Sequence, residues 1–286
     1  MERAALITIR LMGGMGNQLF QYAMGRSLAH DRNDTLFLDA SCLGLKPFNP
    51  TLRKNELYNF NVKSQEVHFK PISFLKTRLT DKLTQKFPGI NNYHHTQYIY
   101  EPTLKIHPNI IREQNCDLYL IGYWQCEKYF IHNKDIIRKE LEIITPQSVL
   151  NKRWSEMISN TPSSVCLHVR RSDYLGLGWE MGIDYYQRAI DYLSERIDNP
   201  VFFIFSDDIK WAQHNLHIPH STYYMNQNNM DSAYEDMRLM SLCKYFIIAN
   251  SSFSWWAAWL GYFSDKMVIT PSEWFEEPLP EGWIQI

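Results

Sequence analysis

His168-Val169-Arg170-Arg171-Ser172-Asp173 comes directly after the apolar run Val165-Cys166-Leu167. A short apolar run of this kind reads as a buried strand. Arginine is rarely buried without a partner, so two of them at the C-terminal end of a strand mark a site rather than core. Guanidinium forks stay charged and grip phosphate bidentately. Because Arg170 and Arg171 are consecutive, they leave opposite faces if the strand continues, so one can grip while the other braces the loop. Asp173 then orients an arginine or takes a proton. The alternative is a solvated surface pair.

Outward from this stretch, β-type runs recur at 6–12, 35–38, 118–121, 201–205, 246–249 and 267–269. Helical patterns lie between the first two and near 185–196 and 232–244. Strands alternating with helices predict an α/β fold with parallel sheets, which bind ligands at the carboxyl ends of their strands. Thr145-Pro146 and Asn160-Thr161-Pro162-Ser163-Ser164 are turn-rich. They suggest a first domain over 1–150, a second over 151–272, and a tail, 273–286, packing back on the first domain. Region 64–116 has weak periodicity and reads as loops and short helices rather than sheet.

At 286 residues and 45% hydrophobic content the chain can hold two cores, and disorder is not expected. A net charge of −2 gives no basic field for nucleic acid, so any anion site is local. The five cysteines form no CxxC pair, which argues against structural zinc and for buried thiols in a reducing compartment. The start of the chain carries no signal-peptide pattern. The most apolar window, 245–263, is interrupted by Asn250, Ser251, Ser252 and Ser254, so it reads as strand, polar turn and helix instead of a membrane span.

Three more constellations sit at strand ends. Gly13-Gly14-Met15-Gly16-Asn17-Gln18 opens a helix whose N-terminus offers N–H groups to an anion. It is neither a Walker loop nor GxGxxG, and a plain tight turn is the alternative. Ser206-Asp207-Asp208 could hold ribose hydroxyls or a divalent metal, or cap the next helix. Asp236 shares a helix face with Leu239, Met240 and Cys243, and a carboxylate there can accept both N–H groups of a guanine edge. Helix packing with Arg238 is the bland reading. The turn Asn250-Ser251-Ser252-Phe253-Ser254 supplies hydroxyls and N–H groups suited to phosphate. The following Trp255, Trp256 and Trp259 read as core.

Together these motifs resemble the family 11 glycosyltransferases, the inverting α-1,2-fucosyltransferases of bacteria. The resemblance is carried by Gly13-Gly-Met-Gly-Asn-Gln-Leu-Phe-Gln-Tyr-Ala, His168-Val-Arg-Arg-Ser-Asp-Tyr, Gly182-Ile-Asp-Tyr, Asp236-Met-Arg-Leu-Met and Ile248-Ala-Asn-Ser-Ser-Phe-Ser-Trp-Trp-Ala-Ala. It implies a GT-B architecture, two Rossmann-like domains with parallel sheets facing a cleft. It implies GDP-β-L-fucose as donor and a terminal β-galactoside of a surface glycan such as O-antigen as acceptor. No metal and no cofactor are expected.

In this resemblance Arg170 is the catalytic diphosphate ligand. Gly14, Gly16, Asn17, His168, Arg171, Ser206, Asp208, Asp236, Asn250, Ser251, Ser252, Phe253 and Ser254 are donor-binding. By proximity to the arginine loop, Asp173 is the first candidate base, Glu180 the second and His168 the third. Tyr123, Trp124 and Gln125 are candidate acceptor contacts. Ser172 departs from the family's common glycine, and 175–182 lacks the histidine that some members carry. Work on the cytoplasmic side, peripheral to a membrane, is expected. Two other readings are a non-catalytic nucleotide-sugar or phosphoglycan-binding protein and a nicotinamide oxidoreductase. The absent GxGxxG counts against the latter.

Overall fold

Two parallel sheets organise the chain, each within its own unit, Met1–Glu142 and Ile143–Ile286. The computed structural model describes residues 5–44, 53–67, 96–101, 116–274 and 278–286.

In the first unit the strands are β1 (Leu6–Arg10), β2 (Thr35–Asp39), β3 (Gln65–Val67), β4 (Thr96–Tyr100) and β5 (Asp117–Ile121). Their order is β3-β2-β1-β5-β4, with every pair parallel. Helix α1 (Met15–Arg32) follows β1, and α2 (Lys134–Glu140) closes the unit. α1 ends on Asn33, whose left-handed φ of 55° lets its N–H reach back to the last carbonyls. Strands β3 and β4 correct the expectation of no sheet within 64–116. The rest of that region lies outside the described residues.

The second unit holds β6 (Ser164–Val169), β7 (Val201–Ser206), β8 (Thr222–Met225), β9 (Tyr245–Ile247), β10 (Met267–Thr270) and β11 (Ile284–Gln285). Their order, β11-β10-β9-β6-β7-β8, is the doubly wound one, and every pair is parallel. All six residues of central β6 are buried, as a strand covered on both faces requires. The helices are α3 (Val149–Ser159), α4 (Ser172–Leu175), α5 (Ile183–Ser194), α6 (Ile209–Asn215), α7 (Ala233–Ser241) and α8 (Ser252–Leu260). The buried Tyr185 of α5 donates its hydroxyl to Ile248 O at 2.5 Å, where β9 ends, and lies 3.3 Å from Ile269 O in β10. Lys266 donates to the carbonyls of Ala258, Trp259 and Gly261 at 2.7, 3.3 and 2.8 Å, placing a cation at the C-terminus of α8.

Two expected boundaries move. The first unit ends at Glu142, because Arg238 of α7 donates to the carbonyls of Ile143 and Thr145 and draws that segment into the second unit. The tail, expected to pack on the first domain, belongs to the second unit. β11 pairs in parallel with β10, and Trp283 lies against Trp255, ring centroids 5.6 Å apart. No described helix is long and apolar enough to cross a membrane.

Candidate active site

In a doubly wound sheet the ligand crevice opens where the strand order reverses. Here that point lies between β6 and β9. From β6 the chain winds to β7 and β8, and from β9 to β10 and β11. The loops leaving these two central strands carry Arg170-Arg171 and Asn250–254, so two constellations distant in sequence come to one place.

Asp207, at the end of β7, clamps the arginine loop. Its Oδ1 accepts the Arg171 N–H at 2.9 Å and its Oδ2 accepts the Ser172 N–H at 3.2 Å. The same Oδ2 lies 3.0 Å from Arg170 Nη1. The Arg170 guanidinium sits 5.6 Å from the centre of the Tyr174 ring. Tyr174 donates its hydroxyl to Asn250 O at 3.3 Å, linking the arginine loop to the second loop. Arg171 has other partners, with its guanidinium 4.0 Å over Trp211 and its Nε 3.5 Å from Asp208. Arg170 is therefore the arginine on the Asn250 side, and Arg171 is the brace.

The second loop runs into α8. Ser252, Phe253 and Ser254 are its first residues, so their N–H groups are ones a helix leaves without intrahelical partners. Asn250 Nδ2 donates to Trp179 O at 3.0 Å, holding the segment that carries Glu180. Trp179 also packs edge-on against Tyr174, at 6.0 Å and 88°. Glu180 is half-buried, and its Oε2 lacks a hydrogen-bond partner among the described residues. Asp173 lies within α4, but its side chain is outside the described part of the structure.

His168 is buried, with its ring 5.6 Å from that of Phe253. Burial, and then the Arg170 charge, push its pKa down to about 3, so it is neutral and ill-suited to accept a proton. Asp236, in the first turn of α7, accepts a hydrogen bond from Asn228 Nδ2 at 2.7 Å. Burial pushes its pKa up to about 6. The unfolded group titrates near 4, so its burial costs stability above about pH 6, and that cost is relieved as pH falls from 6 towards 4.

The first unit has a loop cluster of its own at the C-terminal ends of β1 and β5. Gly13 adopts φ 73°, and Gly14 is the N-cap of α1. Asn17 Oδ1 accepts from Gln125 Nε2 at 2.7 Å, joining the glycine loop to the loop after β5. Gln18 is consumed structurally. Its Nε2 donates to Gly13 O and Lys54 O, and its Oε1 accepts the Glu56 N–H. Glu101 Oε2 accepts the N–H groups of Tyr123 and Trp124, both at 2.7 Å.

The family model described as glycosyl transferase family 11 matches residues 111–281. The chain is 35% identical to an α-1,2-colitosyltransferase of Escherichia coli, the alignment covering 99% of each. The chain belongs to glycosyl transferase family 11. It is also 31% identical to the O-antigen biosynthesis glycosyltransferase WbnK of Escherichia coli, over 93% of each. Among solved structures it resembles the fucosyltransferase NodZ from Bradyrhizobium, with a TM-score of 0.52 and 14% identity over 90% of this chain and 93% of that one. This last likeness is one of fold, and the fold is GT-B.

In this glycosyltransferase several expected ligands have structural duties. Ser206 Oγ accepts the Asp208 N–H at 2.9 Å, and Asp208 Oδ1 accepts the Trp211 N–H at 3.1 Å, capping α6. The capping alternative describes this pair better than ribose binding. Ser254 is fully buried and donates to Ala249 O and Ser251 O, so its side chain holds the turn. Ser251 is buried too, and its N–H bonds Ala249 O at 2.7 Å. Ser252 and Phe253 remain partly exposed at the helix start. Trp124 is fully buried, edge-on to Tyr129, and is core rather than an acceptor contact, whereas Tyr123 is exposed. Gly16 is buried in the first turn of α1, and Gly13, not Gly14 or Gly16, takes the left-handed conformation.

The sequence reading places Asp207 only in a ribose, metal or capping group, so it misses the clamp on the arginine loop, as it misses the duty of Tyr174. The signal for Asp207 was its place directly after a strand that neighbours β6.

Gly13 supplies a direct test of the glycine loop. A Cβ there would lie 2.3 Å from Asn17 Nδ2, on a backbone that L-residues avoid. Gly13→Ala should lose about 1–2 kcal/mol from the left-handed backbone alone, with the Asn17–Gln125 contact displaced. A urea midpoint equal to wild type would contradict this.

Proposed function

We propose that this family 11 glycosyltransferase moves L-fucose from GDP-β-L-fucose to the 2-hydroxyl of a terminal β-galactoside in a surface glycan such as O-antigen. The transfer inverts C1 and needs no metal ion, and the enzyme works at the cytoplasmic face. The observation that carries this reading is Arg170, anchored by Asp207 at the switch point and linked through Tyr174 to the turn that opens α8.

In the reaction the acceptor O2 attacks fucose C1 as the C1–O bond to the diphosphate breaks. The bonding pair leaves with GDP, and the O2 proton passes to a base. Charge grows on the β-phosphate oxygen, and Arg170 with the first N–H groups of α8 is preorganised to hold it. Asp236 accepts the guanine N1–H and 2-amino N–H.

For the base, Glu180 is now the better-placed candidate. Its segment is pinned to Asn250, and one carboxylate oxygen has no partner among the described residues. Glu180→Gln should lower kcat by about 100- to 10,000-fold, the usual worth of a general base, and flatten the acid limb of the pH–rate profile. Asp173→Asn is the parallel variant. Unchanged profiles in both would remove both candidates and leave a dissociative transition state in which base strength matters little.

The activity test is incubation with GDP-fucose and galactosides linked β1,3 and β1,4, with the product linkage read by NMR. Formation of α-1,2-fucosyl product is expected. GDP binding without transfer to any galactoside would favour the non-catalytic sugar-nucleotide-binding reading. A second donor reading, colitose, is favoured by the colitosyltransferase that is 35% identical over the whole chain. Colitose is L-fucose without its 3-hydroxyl. A site that hydrogen-bonds that hydroxyl rejects the deoxy sugar strongly, and an apolar pocket does not. The ratio of kcat/KM for the two GDP-sugars decides between them.

A further inference from the structure

Behind Asp236 lies a pair of asparagine amides with no duty in the reaction as described. Asn228 Nδ2 donates to Asp236 Oδ1 at 2.7 Å and also reaches Asn151 Oδ1 at 3.2 Å. Asn151 returns the bond, donating its Nδ2 to Asn228 Oδ1 at 2.9 Å. Gln227 Nε2 adds a donor to Asn151 Oδ1 at 3.3 Å. Asn151 is 3% exposed on α3, and its backbone N–H is held by the N-cap Ser148. The loop carrying Asn228 is fixed by its neighbour. Asn229 accepts the N–H groups of Asp231 and Ser232, while Ser232 Oγ accepts the Asn229 N–H.

This arrangement has a sense. Each amide donates to the other's oxygen, so flipping Asn228 alone would set its oxygen against Asn151 Oδ1 and against the Asp236 carboxylate. Asn228 therefore presents only a donor to Asp236.

We propose that the Asn151–Asn228 pair is a positioning device for the base-reading carboxylate: it holds Asp236 in one orientation and in its ionised form. Oδ2 and the second lone pair of Oδ1 are left for the two N–H groups of guanine. The proposal rests on the reading of Asp236 as the guanine acceptor. It also explains how a half-buried carboxylate stays usable at neutral pH. Burial and the neighbouring Glu235 raise its pKa, and the Asn228 hydrogen bond opposes them.

The charged groups around Asp236 leave that task to Asn228. The Cys166 thiol of β6 is close enough to feel the carboxylate, and its own pKa is pushed up by burial. Arg238 is engaged by Glu235 and by the carbonyls of Ile143 and Thr145. Asp231, in the 3₁₀ turn Met230–Ser232, and Lys152, Arg153 and Glu156 of α3 make no bond to Asp236 among the described contacts. β7 and α8 carry no charged side chain.

The test is GDP-fucose affinity and steady-state kinetics between pH 5 and 8, a range in which the diphosphate diester does not titrate. Wild-type Kd should be flat above about pH 6 and rise about tenfold per unit below it, as the acceptor is lost to protonation. In Asn228→Ala the onset should move up by about one unit, because a hydrogen bond to the charged form is gone. Donor KM at pH 7 should rise about 3- to 10-fold, with a smaller change in kcat. The preference for the guanine over the hypoxanthine donor, IDP-fucose, should shrink. Asn151→Ala should shift the onset in the same direction by less.

Suppose Asp236→Asn abolishes both the pH dependence and the base preference, yet the onset in Asn228→Ala stays at wild type. The positioning proposal is then overturned, while the Asp236 reading stands. If Asp236→Asn keeps both properties, the Asp236 reading falls and takes the proposal with it. Should Asn228→Ala not fold, an unmoved onset in Asn151→Ala overturns the proposal by itself.

Discussion

Arg170→Lys should lower kcat by about 100- to 1,000-fold, the usual cost of removing one preorganised donor from a developing oxyanion, with a smaller change in donor KM. Net charge is unchanged, so the loss measures geometry. Arg170 is held on one side by Asp207, 3.0 Å from Nη1, and lies 5.6 Å from the Tyr174 ring centre. A planar fork can spend one nitrogen on that anchor and still offer others to phosphate. A lysine ammonium is a point charge on a flexible stem, so it must either pair with Asp207 or reach the diphosphate. Steady-state kinetics with a GDP-sugar check this, and near-normal turnover of Arg170→Lys would remove Arg170 from the catalytic role. Arg171→Lys is the informative companion. Arg171 is stacked on Trp211 and lies beside Asp208, so its replacement should act mainly on loop stability.

Asp207→Ala should cost both stability and rate. It leaves the N–H groups of Arg171 and Ser172 without these acceptors and removes the Asp207 anchor from the Arg170 guanidinium. Unpairing such groups typically costs about 1–3 kcal/mol each when they are buried. Both bonds are exposed, so the loss here should be at or below the low end of that range. The effect on rate should be larger, a fall in kcat/KM of about 100-fold, because misplacing a catalytic group by about an ångström costs that much. Asp207→Asn separates the two effects. Its single carbonyl oxygen can still accept one of the two backbone N–H groups but cannot form an ion pair, so part of the stability should return while the rate stays low. Thermal unfolding alongside kinetics reads both. Full activity in Asp207→Asn would show that Arg170 needs no anchor.

Much of this site was legible along the chain because its chemistry sits at strand ends. Val165–Val169 and 201–205 are apolar runs that end abruptly in charge, and the β6 and β7 strands occupy those positions. The strands that escaped, β3, β4, β8 and β11, lie toward the edges of the two sheets. Gln65-Glu66-Val67 is a strand because β2 offers it a free edge, and Thr222–Met225 because β7 does. Strand formation of this kind depends on the neighbour more than on the segment's own propensity. Ile284–Gln285 is the same case, and it reversed the expected placement of the tail.

Side-chain duty within a motif was less legible than the motif itself. Asp207 and Asp208 are adjacent and chemically alike, yet one clamps the arginine loop while the other caps α6. Trp124, between two polar-capable neighbours, reads as a surface aromatic, but its φ of 56° turns it into the core.

The sequence by itself determined the parallel α/β class and the family, and it marked Arg170-Arg171 at the end of a buried strand. Each rests on short-range pattern or on motifs in a set order. Only the tertiary structure decided that the switch point joins loops about 80 residues apart along the chain. It also decided that Asp207 is the anchor of Arg170, that Arg171 braces, and that Asn151 and Asn228 stand behind Asp236. Those duties depend on which atoms meet across strands and helices, and chain order does not encode that distance.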